Sequence, residues 1–169
     1  MKKDPIRKLF LAAVAATAVL AAPGALAQVK ERTLKFAFQN QTGHPQAQGA
    51  QKFADLVAAK SGGKIAVKLF AGGVLGGDLQ TVSALQGGTV ELTVLNAGIL
   101  SAQVKEFAAY DFPFLFNSGK EADAVTDGPF GQKLMAKLED KGLHGLGYWD
   151  LGFRNVTNSK RPITKADDI

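Results

Sequence analysis

The sequence contains no cysteine. That excludes disulfides, a thiol nucleophile, cysteine-ligated zinc and an acylated lipoprotein anchor. Histidine is nearly as scarce, with only His44 and His144 in 169 residues, and neither falls in an HExxH pattern. The GxSxG element of an α/β hydrolase, the GxxxxGK[ST] phosphate loop and the GxGxxG dinucleotide fingerprint are all missing. "GGVLGG" is rich in glycine but fits none of them. No internal repeat or low-complexity tract occurs, and no apolar run reaches the roughly 20 residues of a membrane span. No metal or cofactor is expected.

What is present begins with an export signal. "MKKDPIRK" is basic, Leu9 to Ala22 is a run of 14 uncharged residues, and Ala25-Leu26-Ala27 has the small-x-small form of a signal peptidase site. Residues 1–27 therefore read as a signal peptide cleaved after Ala27. This segment holds Lys2, Lys3, Arg7 and Lys8 against Asp4, so the formal charge of +5 falls to about +2 once it is removed. The high pI is then mainly a targeting effect and makes no case for nucleic acid. The expected product is soluble, with no stable membrane insertion after cleavage, in a Gram-negative periplasm.

The remaining chain alternates strand and helix patterns. Thr33–Asn40 and Lys64–Phe70 alternate as strands. Between them Ala47, Ala50, Phe53, Ala54, Val57 and Ala58 fall at helical spacing. Pro45 suits the first turn of that helix and Gly62-Gly63 its stop. Asp78 is placed as the cap of a second helix carrying Leu79, Val82 and Leu85, ended by Gly87-Gly88. Thr89–Asn96 reads as a third strand. Ser118 and Glu121 form a capping box for a helix to about Thr126, and Pro129 starts another. Leu143–Trp149 and Phe153–Asn158 read as two further strands. A short helix is expected from Thr164, with Asp167 three positions on. The order βαβαβ, a helical region, then ββ predicts an α/β domain with a mainly parallel sheet flanked by helices. The chain stops about one turn into the last helix, which suggests a fragment truncated at Ile169.

Ligands of open α/β sheets collect beyond the carboxyl ends of the strands. Gln39 and Asn40 follow the first strand there, and Asn96 follows the third. Each amide either binds a ligand or serves as a turn or cap. His44-Pro45 fits a strand-to-helix turn. His144 is read as a surface or strand-edge residue, and Phe112, Phe114 and Phe116 as core or hinge packing. "NSKRP" is read as a solvated turn. Trp149 and Tyr148 either line a cleft or belong to the core. Arg154 lies among aromatic and apolar residues, where its guanidinium fork suits a carboxylate. It either holds a ligand or pairs with a local acid such as Asp150.

Several stretches together resemble one family. "LKFAFQNQTGHPQAQGAQKFADLVAAKSGGKIAVKLFAGGVLGGD", "EFAAYDFPFLF" and "GFRNVTNSKRPITKADDI" are similar to the N-terminal half of the solute-binding proteins of TRAP transporters, the DctP-like family. The resemblance runs from about Thr33 to the last residue. It implies a periplasmic binding-protein fold of two lobes that close on an organic acid, delivered to membrane permease subunits driven by an ion gradient. It implies no enzyme activity. It places Arg154 at the cleft, whereas the family's principal carboxylate-binding arginine lies in a later strand that this sequence does not reach. The implied organisation is 1–27 signal peptide, 28–158 N-terminal α/β lobe, and 159–169 the truncated start of the crossover toward a missing second lobe. Ligand contacts are expected from Arg154, Asn96, Gln39, Asn40 and Trp149. A binding protein serving a signalling receptor and a secreted α/β hydrolase are the competing readings.

Overall fold

A computed structural model describes residues 29–168, so the expected signal peptide lies outside the described residues. Arg32–Ile169 forms one compact unit. Its elements follow in order: β1 (Arg32–Ala37), α1 (Pro45–Lys60), β2 (Ile65–Phe70), α2 (Asp78–Gln86) and β3 (Leu92–Thr93). Two 3-10 segments follow, Ala97–Ala102 and Lys105–Asp111, and then α3 (Gly119–Thr126) and α4 (Pro129–Ala136). The sheet order is β2-β1-β3, and both pairings are parallel. Arg32 is in register with Ile65 and Ala37 with Phe70, while Phe36 meets Leu92 and Ala37 meets Thr93. This is the parallel α/β arrangement that the alternating pattern predicts.

The central strand ends in the best-buried stretch of the unit, because parallel sheets are covered on both faces. Phe36, Ala37 and Phe38 are all buried. One apolar cluster joins Phe36 and Phe38 to Ala47 and Ala50 of α1, with Phe53, Val67, Leu69 and Leu92 around it. A second gathers Val82, Val104, Phe107, Leu134, Leu138 and Leu143, with Tyr110 and Tyr148 at its margin. The small alanines of α1 let the helix lie close to the aromatic rings of β1.

Local signals in the sequence set several helix ends. His44 caps α1 by accepting the Gln46 N–H at Nδ1 (3.1 Å), and Pro45 opens the helix. Its stop uses Gly62 and Gly63, both at positive φ. Ser118 caps α3 by accepting the Glu121 N–H (3.3 Å), while Glu121 accepts the Asn117 N–H at 2.9 Å. The α2 cap differs from expectation. Gly77 is the N-cap, and Asp78 is the first helical residue. The turn through Gly76, at φ +110°, leaves Gly77 extended and shifts the start by one residue.

Other expectations fail for want of partners. The third strand is two residues long, not the expected eight-residue run of Thr89–Asn96: its register pairs Leu92 and Thr93 with Phe36 and Ala37, and before it the only backbone N–H to reach β1 is that of Glu91, donating to Lys35 O at 3.3 Å. Leu143–Trp149 and Phe153–Asn158 form no strands among the described residues. Alternation marks a segment able to pair, but a strand exists only where another edge accepts its ladder bonds. Gly152, at φ +80°, turns the chain between the two segments, and its N–H is held by Asp150 Oδ1 at 2.7 Å. The "NSKRP" stretch is an exposed turn in which Asn158 accepts the Lys160 N–H (3.0 Å). Phe112 and Phe114 are exposed, not core; Phe114 is fully so, at φ +59°, because the chain turns away from the cluster after Asp111. Phe116 is half-buried. The last expected helix reduces to a 3-10 turn, Ala166–Asp168. Its cap acceptor is Asp168 and not Asp167: Thr164 N–H and Oγ1–H and Lys165 N–H all converge on Asp168 Oδ2, which holds that carboxyl below its ordinary value.

Candidate functional site

The polar residues past the strand ends are built into a braced rim. Beyond β1 the chain hydrogen-bonds the loop between β2 and α2. Gly73 N–H donates to Phe38 O and Gly72 N–H to Asn40 O, each at 3.0 Å. Gln39 adds a side-chain brace, donating Nε2–H to Gly76 O at 2.9 Å. Gly73 lies at φ +70°, and a Cβ there would stand 2.5 Å from Gln39 Oε1. Only glycine fits both the left-handed turn and the approach of the amide. Gln39 thus spends its NH2 group on fixing this loop.

Asn40 donates Nδ2–H to Gln46 Oε1, tying the end of β1 to the first turn of α1. Asn96 caps the first 3-10 segment, its Oδ1 accepting the Gly98 N–H at 3.0 Å. The turn and cap roles weighed for these amides are therefore occupied in part, and Asn96 keeps its Nδ2 without a partner among the described residues. Register sets all three on one rim: Thr93 faces Ala37 across the sheet, so Asn96 lies as many residues past that pair as Asn40. Asp111 also reaches this rim, since its carboxylate fills the space that a side chain at Gly98 would need. Burial at the start of α2 pushes the Asp78 carboxyl up from its ordinary value.

Trp149 is seated differently. Its indole lies against Gly49 of α1 and meets Phe36 edge-on, ring centroids 6.2 Å apart. It remains 41% exposed, so it is neither core nor free surface. Tyr148 belongs to the second cluster and donates its hydroxyl to Gly131 O. Arg154 is exposed and makes no hydrogen bond or ion pair among the described residues, so the alternative pairing with Asp150 does not form. The structure brings Gln39, Asn40 and Asn96 to one rim and seats Trp149 on α1. Among the described residues Arg154 makes no hydrogen bond to any of them. His144 is an exposed partner of Glu139.

Sequence reading missed Gln46, Gly49 and Asp111. A glycine inside an otherwise helical run was the one available signal, since such a position commonly has a packing reason. Among the described residues no group of three or more His, Asp or Glu could hold a metal ion, and no helix is long and apolar enough to cross a membrane.

An open parallel sheet with polar side chains braced past its carboxyl ends is the geometry of a small-solute binding lobe. The model of the bacterial extracellular solute-binding protein family 7, DctP, matches residues 36–169, and the chain belongs to that family. It is similar to a TRAP periplasmic solute-binding protein from Ochrobactrum anthropi, whose C-terminus is bound in its ligand-binding pocket. The two are 63% identical with a TM-score of 0.79, over 83% of this chain and 44% of that one. The sugar acid binding protein of Advenella mimigardefordensis, in complex with galactonate, is 42% identical with a TM-score of 0.80, over 83% and 45%. The 2,3-diketo-L-gulonate-binding periplasmic protein of Escherichia coli is 33% identical over 95% of this chain and 47% of its own length. The chain thus spans a little under half the length of these three proteins.

Proposed function

We propose that the protein is the extracytoplasmic solute-binding subunit of a TRAP-type transporter, which captures a small organic acid and hands it to the membrane permease subunits. The observation that carries this reading is the braced amide rim at the carboxyl ends of a parallel sheet, in a chain of the solute-binding family. The ligands of its relatives agree in chemistry. Galactonate and diketogulonate are sugar acids, and a bound C-terminus also presents a carboxylate. Residues 1–27 act as the export signal, residues 28–158 as the N-terminal lobe, and residues 159–169 begin the crossover to a second lobe.

Each site residue has a distinct task in this reading. Arg154 supplies the fork of donors for the carboxylate. Asn96 offers its free NH2, and the remaining oxygens of Gln39 and Asn40 accept hydroxyls of the kind a sugar acid carries. Trp149 walls one side. A charged hydrogen bond contributes about 1.5–3 kcal/mol, whereas a micromolar ligand needs about 8 kcal/mol. Arg154 alone cannot hold the ligand, so lobe closure and a second cation contribute the rest.

Calorimetry on the full protein that carries this sequence tests the reading, with galactonate, 2,3-diketo-L-gulonate and succinate as ligands. Arg154→Ala should weaken the binding found by at least about tenfold, as loss of one such bond requires. Unchanged affinity would remove Arg154 from the site.

A further inference from the structure

Gly49 is the fifth residue of α1, well inside the helix. An interior helical glycine costs about 1 kcal/mol relative to alanine, so it needs a reason. The structure supplies one. A Cβ at position 49 would stand 3.1 Å from Trp149 Cζ3 and 3.6 Å from both Cε3 and Cη2. The six-membered ring of the indole therefore lies in a notch that a methyl group at position 49 would make tighter than ordinary contact. Phe36 closes another side of the ring, and is itself held edge-on by Phe38 and Phe53 at 5.6 and 5.8 Å. From Asp150 to Pro162 every residue is exposed. Trp149, resting on Gly49 and Phe36, is thus where the chain last touches α1 and β1 before the exposed segment bearing Arg154, five residues ahead of the guanidinium.

We infer that Gly49 and Trp149 are a positioning pair: the glycine notch sets the seat of the indole, and the indole sets where the Arg154 segment departs relative to the amide rim. The inference rests on the carboxylate-binding reading above. Gly49 touches no ligand and acts through Trp149. Alanine at position 49 is the informative change, because helix propensity and the notch predict opposite results. Propensity alone predicts a more stable protein with the same affinity. The notch predicts an indole moved by a few tenths of an ångström and a displaced arginine.

The test uses the full protein labelled with 5-fluorotryptophan, with the Trp149 resonance assigned by its loss in Trp149→Leu. Gly49→Ala should shift that resonance in the unliganded protein and lower galactonate affinity by about three- to tenfold, the scale of a sub-ångström misplacement. In the Trp149→Leu background the same change should alter affinity less than about twofold, since no indole remains to be moved. An unshifted resonance with unchanged affinity overturns the pair while leaving the binding function intact. Equal losses in both backgrounds also overturn it, because Gly49 would then act without Trp149. Failure of the unmutated protein to bind any of the three acids overturns the functional reading and this role with it, whereas the resonance shift reports separately on the notch.

Discussion

Replacing Tyr148 by phenylalanine removes one hydroxyl that serves two partners. Tyr148 donates to Gly131 O at 3.0 Å and accepts from Tyr110 at 3.2 Å. The two rings also meet edge-on at 5.6 Å, and Phe130 packs on Tyr110 at 6.1 Å, so the ring contacts survive the change. Only the hydrogen bonds are lost. At roughly 0.5–1.5 kcal/mol each, their sum is about 1–3 kcal/mol. For a chain of this length 1 kcal/mol corresponds to about 2–4 °C, and for one twice as long to about half that, so Tm should fall by about 1–12 °C. The pH dependence gives an independent arm. Burial pushes both hydroxyls above the ordinary tyrosine value of 10.0; proximity to Tyr110 raises Tyr148 further, while the bond to Tyr148 partly offsets the rise at Tyr110. The folded state then keeps protons that the unfolded chain releases. Stability from the pair is full below about pH 10 and declines as pH rises beyond it. Thermal melts of the parent protein and Tyr148→Phe from pH 7 to 11 should show a gap that narrows above pH 10. Coincident melts at pH 7, together with equal alkaline slopes, would refute the assignment of these hydroxyls as one coupled brace.

Two other outcomes are expected. Gly73→Ala should lower stability by about 1–3 kcal/mol, because alanine is strained in the left-handed region and its Cβ displaces Gln39 from Gly76, which denaturant unfolding would measure; an unchanged midpoint would show that the loop tolerates a second conformation. N-terminal sequencing of exported protein should read from Gln28, and retention of Met1 would exclude the cleavage after Ala27.

The helix ends of this chain were legible because their causes are local. His44 and Pro45 start α1 and Gly62-Gly63 end it. Ser118 with Glu121 starts α3, and Pro129 starts α4. Each signal acts within a few residues of itself, so no knowledge of distant chain is needed. The one-residue error at Asp78 came from the Gly76 turn, whose conformation depends on the loop around it. Strand patterns were legible as patterns only. Thr33–Asn40 and Lys64–Phe70 found each other across β1 and β2, whereas Leu143–Trp149 and Phe153–Asn158, also expected as strands, pair with nothing among the described residues.

The same division holds for the rim. Composition, periodicity and the order of elements determined that this chain forms a parallel α/β lobe with Gln39, Asn40 and Asn96 past its strand ends. Those properties follow from residue type and spacing along one dimension. The tertiary structure alone decided that Gln39 is committed to Gly76, that Asp111 fills the space beside Gly98, and that Trp149 rests on Gly49. Each of these contacts joins residues far apart in the chain, and a side chain's available hydrogen bonds depend on which distant backbone the fold carries to it.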